Sequence, residues 1–289
     1  MIASAFQTAR RAEALGARLP PLMVAAQRVA NTVAQGVHGR RRVGQGDSFW
    51  QFRPFAQGDA ISRIDWRASA KSDRNFIRET EWEAAQTVYL WRDGSPSMDW
   101  RSGTAVPYKR ERADILALAL AALLLRGGER VRLLGGPPRL RGGRFALEDL
   151  AEGISRLPPG NGMPPLLPIP RHARVILIGD FLHPLEEIRP VIAALAATPV
   201  TGYLLQILDP AETLLPYSGR VRFQGLEREA DTLIPRVEGI RDAYATALQE
   251  QQAGLAALCA AADWRFATHR TDHPPETALL AAFMSLSAT

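Results

Sequence analysis

From residue 84 onward, apolar runs of strand length alternate with helical stretches, and this alternation constrains the fold more than any other feature. Strands are predicted at 86–92, 130–134, 174–180, 200–208 and 264–269. Helices are predicted at about 108–126, 147–157, 184–197, 236–262 and 276–285. Mostly apolar strands that alternate with helices are typical of an α/β protein with a doubly wound, mostly parallel sheet.

The first 83 residues have a different pattern and predict a separate N-terminal extension. A helical segment is expected at about 7–35, where Ala, Leu and Arg dominate. Glycines and aromatic residues punctuate 39–83, which predicts short strands and turns. The predicted organisation is therefore an extension over 1–83, followed by an α/β domain over 84–289.

The positive charge of the chain is concentrated in this extension. Residues 1–83 carry 13 Lys and Arg against 8 Asp and Glu, whereas the remaining residues are balanced. Its densest basic run is Arg40, Arg41 and Arg42. Such a run indicates a solvated loop or a protein contact; nucleic-acid binding is the alternative, but no basic stripe with interleaved aromatic residues follows.

Neither a membrane span nor a disulfide framework is predicted. The longest apolar run, Ile115–Leu125, has 11 residues, whereas a bilayer requires roughly 17–25. The single cysteine, Cys259, excludes an internal disulfide and a cysteine-based zinc site. No signal peptide is evident. We therefore expect a cytoplasmic protein, with contact at the surface of the inner membrane remaining open.

A carboxylate and two hydroxyls follow the first strand of the α/β domain, and a second carboxylate ends a later strand. Asp93, Ser95 and Ser97 alternate in the loop after residue 92, and Asp180 ends the strand at 174–180. Hard oxygen ligands with open coordination positions suit Mg²⁺ or Mn²⁺. The alternative is a turn in which Asp93 and Ser97 satisfy backbone groups.

Charges of alternating sign lie among aromatic residues in the segment 52–66. They are Arg53, Asp59, Arg63 and Asp65. One interpretation is a contact surface; the other is an internal set of salt bridges beneath partly buried rings, which is the more usual role of paired charges.

The same serines and carboxylates would also suit two classes of enzyme. Ser95 or Ser97 with a histidine would make a serine hydrolase, and the carboxylates would suit a metal-dependent one, but no G-x-S-x-G elbow is present. The glycine-rich loops that bind nucleotide phosphates, G-x-x-x-x-G-K-[ST] and G-x-G-x-x-G, are also absent. A hydrolase that uses the same crevice therefore remains an alternative to a protein-interaction domain.

Several segments over about 36–285 resemble a bacterial family known as domain of unknown function 58. The segments are Gly39–Arg42 with Gly46–Phe49, Phe52–Phe55 with Gly58-Asp59, Arg63–Trp66 with Ser69–Lys71, Asp93–Met98, Asp209–Glu212 with Pro216, and His269–Pro274. The motif residues on which the assignment rests are Arg53, Gly58, Asp59, Arg63, Asp65 and Trp66.

The resemblance implies a von Willebrand factor A-like domain that works with a MoxR-type AAA+ ATPase and its client protein. It implies a non-enzymatic adaptor. No nucleic-acid partner is expected, because the basic run is short and no basic stripe with interleaved aromatic residues follows it. The resemblance also implies a MIDAS-like metal site, with Asp93, Ser95, Ser97 and Asp180 in the metal-binding positions. The family's threonine ligand is missing, because its loop, expected at 158–163, contains neither Thr nor Ser; Asn161 is the nearest substitute.

Overall fold

The computed structural model describes residues 43–44, 48–56, 59–72, 74–81, 86–136, 145–227 and 230–287. The helix predicted at 7–35, the basic run Arg40–Arg42 and Gly58 lie outside the described residues. The chain divides into two compact units, one of which is Val33–Ala85. The boundary between residues 83 and 84 stays a prediction.

The smaller unit contains three strands and one short helix. The strands are β1 (Val43–Gly44), β2 (Ser48–Pro54) and β3 (Phe76–Glu81), which form an antiparallel sheet in the order β1-β3-β2. Helix α1 (Trp66–Ser69) follows a 3₁₀ turn at Ile61–Arg63. The short strands and turns expected here are present.

The larger unit is built from strands that alternate with helices. Its main elements are β4 (Thr87–Arg92), α2 (Lys109–Arg126), β5 (Arg130–Leu133), α3 (Ala146–Ser155), β6 (Arg174–Gly179), α4 (Leu185–Leu195), β7 (Thr201–Leu208), α5 (Pro210–Leu214), β8 (Val221–Phe223), β9 (Thr232–Ile234), α6 (Arg241–Ala261), β10 (Arg265–Arg270) and α7 (Pro275–Ser287).

Five of these strands form one parallel sheet, in the order β10-β7-β6-β4-β5. The chain passes from β4 to β5 on one side, then crosses back to β6 on the other side of β4. Strands β4 and β6 therefore flank the point where the strand order reverses, which is where ligands bind in sheets of this kind. The predicted doubly wound, mostly parallel sheet is confirmed.

Helices cover both faces of this sheet, and each face has its own apolar core. Helices α2, α3 and α7 pack on one face, against side chains that include Ile176 and Ile178 of β6. Helices α4 and α6 pack on the other, against Val175 and Leu177 of the same strand. Because successive residues of a strand point to opposite faces, a strand covered on both sides is apolar throughout.

The two edge strands differ from the continuous apolar pattern. In β5 buried and exposed residues alternate, and β10 contains Arg265, Thr268 and His269. Among the described residues each pairs with a single strand, β5 with β4 and β10 with β7, and part of its surface is open to solvent. Helix α5 and the antiparallel pair β8–β9 were not predicted. The long helix begins at Arg241, after a 3₁₀ turn at Val237–Ile240, and not at 236.

Over the described ranges, the helices fall short of the length and apolar character that crossing a bilayer demands. The longest apolar run, Ile115–Leu125, lies within α2, and most of its side chains are buried against the sheet. The apolar character of this segment is therefore explained by the core.

Candidate functional site

The two strand-terminal carboxylates meet at the point where the strand order reverses. Asp93 follows β4 and Asp180 follows β6, the neighbouring strand. The Asp93 amide donates to the Ile178 carbonyl oxygen at 2.8 Å, which extends the pairing of the strands by one residue. Both aspartates are buried, with 0% and 1% of their surface exposed.

The loop after β4 brings both serine hydroxyls to the same place. The Ser95 amide donates to Asp93 Oδ1 at 2.8 Å, which closes the turn. Ser95 Oγ lies 3.0 Å from Ser97 Oγ, and Ser97 Oγ donates to Asp180 Oδ2 at 2.6 Å. The structure therefore brings Asp93, Ser95, Ser97 and Asp180 into one hydrogen-bonded cluster. Asp93 satisfies a backbone amide, as the turn interpretation expects, whereas the Ser97 hydroxyl donates to a side chain and not to a backbone group.

One oxygen of Asp93 is buried without a hydrogen bond among the described residues: its Oδ2 atom. Space for the carboxylate exists because residue 179 has no side chain. A Cβ atom there would lie 2.8 Å from Asp93 Cβ and 3.0 Å from Oδ2. Burying such an oxygen without a partner is costly, so Asp93 Oδ2 is the atom of the cluster most in need of a ligand.

Lys109 brings a positive charge into the cluster. The sequence did not predict this residue as part of the site. This first residue of α2 is fully buried, and its Nζ atom lies 2.9 Å from Asp180 Oδ2. The same Nζ lies 2.5 Å from Glu212 Oε1. Glu212 belongs to a capping box at the start of α5, in which its other oxygen accepts from the Asp209 amide at 2.7 Å.

Burial dominates the electrostatics of Asp93. Desolvation raises the pKa of Asp93, and the neighbouring charge of Asp180 raises it further. For Lys109, burial acts to lower the pKa, but the carboxylates of Asp180 and Glu212 outweigh it, and the pKa lies above its ordinary value. Lys109 is therefore charged at neutral pH.

Arg92 supports the loop from behind and is itself buried. Its Nη1 donates to the Asp93 carbonyl oxygen at 3.0 Å and its Nη2 to that of Ile154 at 2.9 Å. Arg92 Nε and Asp114 Oδ1 lie 2.7 Å apart as an ion pair but are not aligned as a hydrogen bond. Burial raises the pKa of Asp114 to about 6 even so. These contacts tie the loop to α2 and to the end of α3.

The connection between β8 and β9 also reaches the cluster. The Ser97 amide donates to Glu227 Oε1 at 3.3 Å. Glu227 Oε2 lies 3.5 Å from His183 Nε2. His183 is itself held close to Gly162, where a Cβ atom would come within 2.2 Å of the imidazole. Glu227 is therefore a second acidic side chain that contacts Ser97, besides Asp180.

The loop at 158–163 lies beside the loop that carries Asp93, Ser95 and Ser97. Its Asn161 does not take the place of the missing threonine. The Gly160 amide donates to the Gly94 carbonyl oxygen at 3.1 Å. The side chain of Asn161 is exposed, and its Oδ1 accepts from the Met163 amide at 3.4 Å. The amide oxygen of Asn161 is thus used within its own turn.

The donor set suits a divalent cation on the Asp93 side. Asp93 supplies an unbonded carboxylate oxygen, and the two serines supply hydroxyl oxygens, which are the ligands that Mg²⁺ and Mn²⁺ prefer. On the other side, Asp180 Oδ2 already accepts from Lys109 and Ser97. Within the described ranges, no three His, Cys, Asp or Glu side chains form a metal-binding group, so a divalent ion held here would also need the serine hydroxyls.

The geometry gives a serine hydrolase little support. In the part of the chain that the structure describes, the hydroxyls of Ser95 and Ser97 bond to each other and to Asp180, and neither bonds to a histidine. His269 is buried at the end of β10, and burial lowers its pKa to about 4.

The model of a protein family of unknown function, DUF58, matches residues 51–141 and 166–254. The chain belongs to the DUF58 family. The matched segments contain every residue of the cluster, from Asp93 to Glu227, whereas Asn161 lies in the gap between them.

Within the smaller unit, the DUF58 motif residues that the structure describes lie in β2 and in the turns that precede and begin α1. Asp65 Oδ1 accepts from the Ala68 amide at 2.9 Å and caps α1, and Asp59 Oδ2 accepts from the Ala56 amide at 2.9 Å. Arg53 lies in β2 and Arg63 ends the 3₁₀ turn. Trp66 is 62% exposed. Its ring therefore differs from the partly buried rings that the salt-bridge interpretation of this segment expects.

Two mycobacterial relatives of this DUF58 chain are uncharacterized. A protein of Mycobacterium tuberculosis is 27% identical over 258 residues, which covers 84% of this chain and 80% of the relative. A protein of Mycobacterium bovis has the same identity and coverage. Neither relative carries a described activity.

Two solved structures show a weaker likeness to the DUF58 chain. One is an aerotolerance-related membrane protein from Bacteroides fragilis with multiple mutations to serines, with a TM-score of 0.39 and 13% identity, covering 71% of this chain and 100% of that one. The other is BatB, a conserved hypothetical protein from Bacteroides thetaiotaomicron, with a TM-score of 0.38, 14% identity and coverage of 71% and 98%. The strand order of this chain, and not these likenesses, defines its fold.

Proposed function

We propose that this chain is a non-enzymatic protein-interaction domain, an adaptor for a MoxR-type AAA+ ATPase and its client protein. The observation that supports an interaction site is the buried, unbonded Asp93 Oδ2 at the carboxyl edge of the sheet. An oxygen in this position lowers stability unless a ligand satisfies it, and ligands bind at this edge in sheets of this topology. The ATPase enters through the family resemblance alone.

In this proposal a divalent ion takes part in the contact. Asp93, Ser95 and Ser97 would hold Mg²⁺ or Mn²⁺, with Asp180 beside them. When bound, such an ion supplies open coordination positions that a carboxylate from a partner can fill. The protein's own role is to position the three ligands through the turn at Ser95 and the support from Arg92.

Exposed leucines next to the cluster support a protein as the partner. Leu182, Leu214 and Leu226 are 41%, 55% and 48% exposed. Leu182 and Leu214 follow Asp180 and Glu212 by two residues, and Leu226 directly precedes Glu227. Apolar side chains around a polar centre are characteristic of protein contacts and are not needed to bind a small ion.

The test is calorimetric titration with the ATPase, with and without Mg²⁺ or Mn²⁺, on wild type, Asp93→Ala and the exposed control Asp242→Ala. We expect Asp93→Ala to weaken ATPase binding while its circular dichroism spectrum stays native, and Asp242→Ala to bind normally. Equal binding by Asp93→Ala contradicts the proposed contact. A complex that forms without any metal effect places the contact elsewhere, with the basic N-terminal region as the next candidate.

A further inference from the structure

Lys109 is the feature of the cluster that a simple metal-binding loop does not need. Its ammonium group is fully buried at the first turn of α2, beneath the carboxyl edge of the sheet. It contacts Asp180 at 2.9 Å and Glu212 at 2.5 Å. An ammonium group has three N–H donors, so two of the three are used on these carboxylates.

These contacts fix the position of the positive charge. Asp180 Oδ2 accepts from both Lys109 Nζ and Ser97 Oγ, so the oxygen that faces the serine hydroxyls is already saturated by donors. Glu212 is held in turn by the Asp209 amide. The Lys109 side chain therefore has little freedom to withdraw when another cation approaches.

Asp93 lies in the opposite electrostatic situation. Its Oδ2 atom is buried and makes no hydrogen bond within the described residues. The cluster thus has one half that is neutralised by a lysine and one half that is not. A divalent ion at Asp93, Ser95 and Ser97 would meet a positive charge across Asp180.

We propose that Lys109 is a built-in cation that replaces a divalent ion on the Asp180 side of the site and makes the isolated chain a weak binder of Mg²⁺ and Mn²⁺. The inference rests on the site of the proposed function but not on its partner. It implies that a divalent ion binds well only when a partner supplies a further negatively charged ligand.

The test is Mn²⁺ titration of the full chain by calorimetry, with no ATPase present. Lys109→Met is expected to bind Mn²⁺ at least about tenfold more tightly than wild type, because removing one charge in contact with a ligand has effects of this order even when screening is strong. Lys109→Arg keeps the charge and is expected to bind as weakly as wild type. Arg126→Met, an exposed site at the other end of α2, removes the same charge and serves as the control.

Removing Lys109 also leaves two carboxylates without their cation, so Lys109→Met is expected to melt at a lower temperature in EDTA and to recover with Mn²⁺. If Lys109→Met folds only when Mn²⁺ is present, the proposal is supported. If it does not fold at all, Lys109→Met combined with Glu212→Gln preserves the net charge while freeing Asp180, and the double variant decides the question.

Two results overturn the inference. One is Mn²⁺ binding by the folded Lys109→Met or by the double variant that is no tighter than that of wild type. The other is micromolar binding by wild type itself. Neither result bears on ATPase binding, which the Asp93→Ala experiment tests separately, so failure here and failure of the proposed function are distinguishable.

Discussion

Replacing Asp93 with Asn is expected to make the metal-free protein more stable, although Asp93 lies at the centre of the candidate site. The change keeps the shape of the side chain and the oxygen that accepts from the Ser95 amide at 2.8 Å. It removes a negative charge that is fully buried and lies near Asp180, and it replaces the unbonded Oδ2 with a group that donates. Chemical denaturation with urea in EDTA measures the difference.

The size of the effect follows from the removal of one buried negative charge that lies beside Asp180. A buried polar group without a partner costs about 1–3 kcal/mol, and more when it is charged. For a domain of this size each kcal/mol changes the melting temperature by about 2–4 °C. We therefore expect Asp93→Asn to melt about 2–12 °C above wild type at neutral pH.

The effect has a defined pH dependence. Because burial and the charge of Asp180 raise the pKa of Asp93 in the folded protein above its ordinary 3.8, the folded state favours the protonated form. The favourable contribution of Asp93 to folding is then present at low pH and is lost as the pH rises through the folded pKa. The stability advantage of Asp93→Asn is expected to grow as the pH rises above the ordinary value of 3.8 and through the raised pKa of the folded state.

A matched control is available in Asp209, which is equally buried but fully bonded. Its Oδ1 accepts from the Ala211 amide at 2.8 Å and its Oδ2 from the Ser102 amide at 3.0 Å. Asp209→Asn keeps an oxygen for the Ala211 amide but sets its NH₂ group against the Ser102 amide, so it is expected to lose about 1–3 kcal/mol. If Asp93→Asn is destabilised as much as Asp209→Asn, Asp93 is not an uncompensated buried charge and the reasoning fails.

Three further predictions concern the scaffold. Gly202→Ala would place a Cβ atom 1.8 Å from the ring of Trp264. We expect the free energy of unfolding, measured with urea, to fall by about 1–3 kcal/mol or more. Unchanged stability would contradict the close packing of Trp264 on β7. The pKa of Asp114, raised to about 6, gives a favourable contribution at low pH that is lost as the pH passes about 6; Asp114→Asn should flatten the unfolding free energy between about pH 4 and about pH 7, and a profile as steep as that of wild type argues against it. Gly162→Ala combines a positive φ of 76° with a Cβ atom 2.2 Å from the His183 imidazole; its melting temperature should fall, and the His183 resonances should shift in NMR spectra, whereas native values for both would contradict the loop geometry.

The strands and both strand-terminal carboxylates were predictable because local patterns encode them. Continuous apolar runs such as Val175–Ile178 arise from burial on both faces, and Asp93 and Asp180 each lie two residues beyond the end of such a run. Parallel strands end at the same edge, so the sequence alone predicts that the two carboxylates lie close together. The helices at 109–126 and 146–155 lie within two residues of the predicted bounds.

Lys109 and Glu212 could not be recognised as parts of the site in the same way. Lys109 lies 16 residues after Asp93, and nothing in the sequence shows which way a charged residue at the start of an apolar helix points. The run Asp209-Pro210-Ala211-Glu212 does carry a readable signal, because Asp, Pro and Glu at these positions form a capping box. That signal predicts α5 but not the direction of the second Glu212 oxygen.

The placement of the site on β4 and β6 has a mechanical consequence. The two strands are parallel neighbours, paired from Val88 with Arg174 to Arg92 with Ile178, and β6 pairs with β7 over six positions. A pull applied to Asp93 or Asp180 along the strand axis loads these backbone hydrogen bonds together, in shear, rather than opening them one after another. A partner that exerts force on this edge would therefore have to break several backbone hydrogen bonds at once, and not one at a time, to separate β4 from β6.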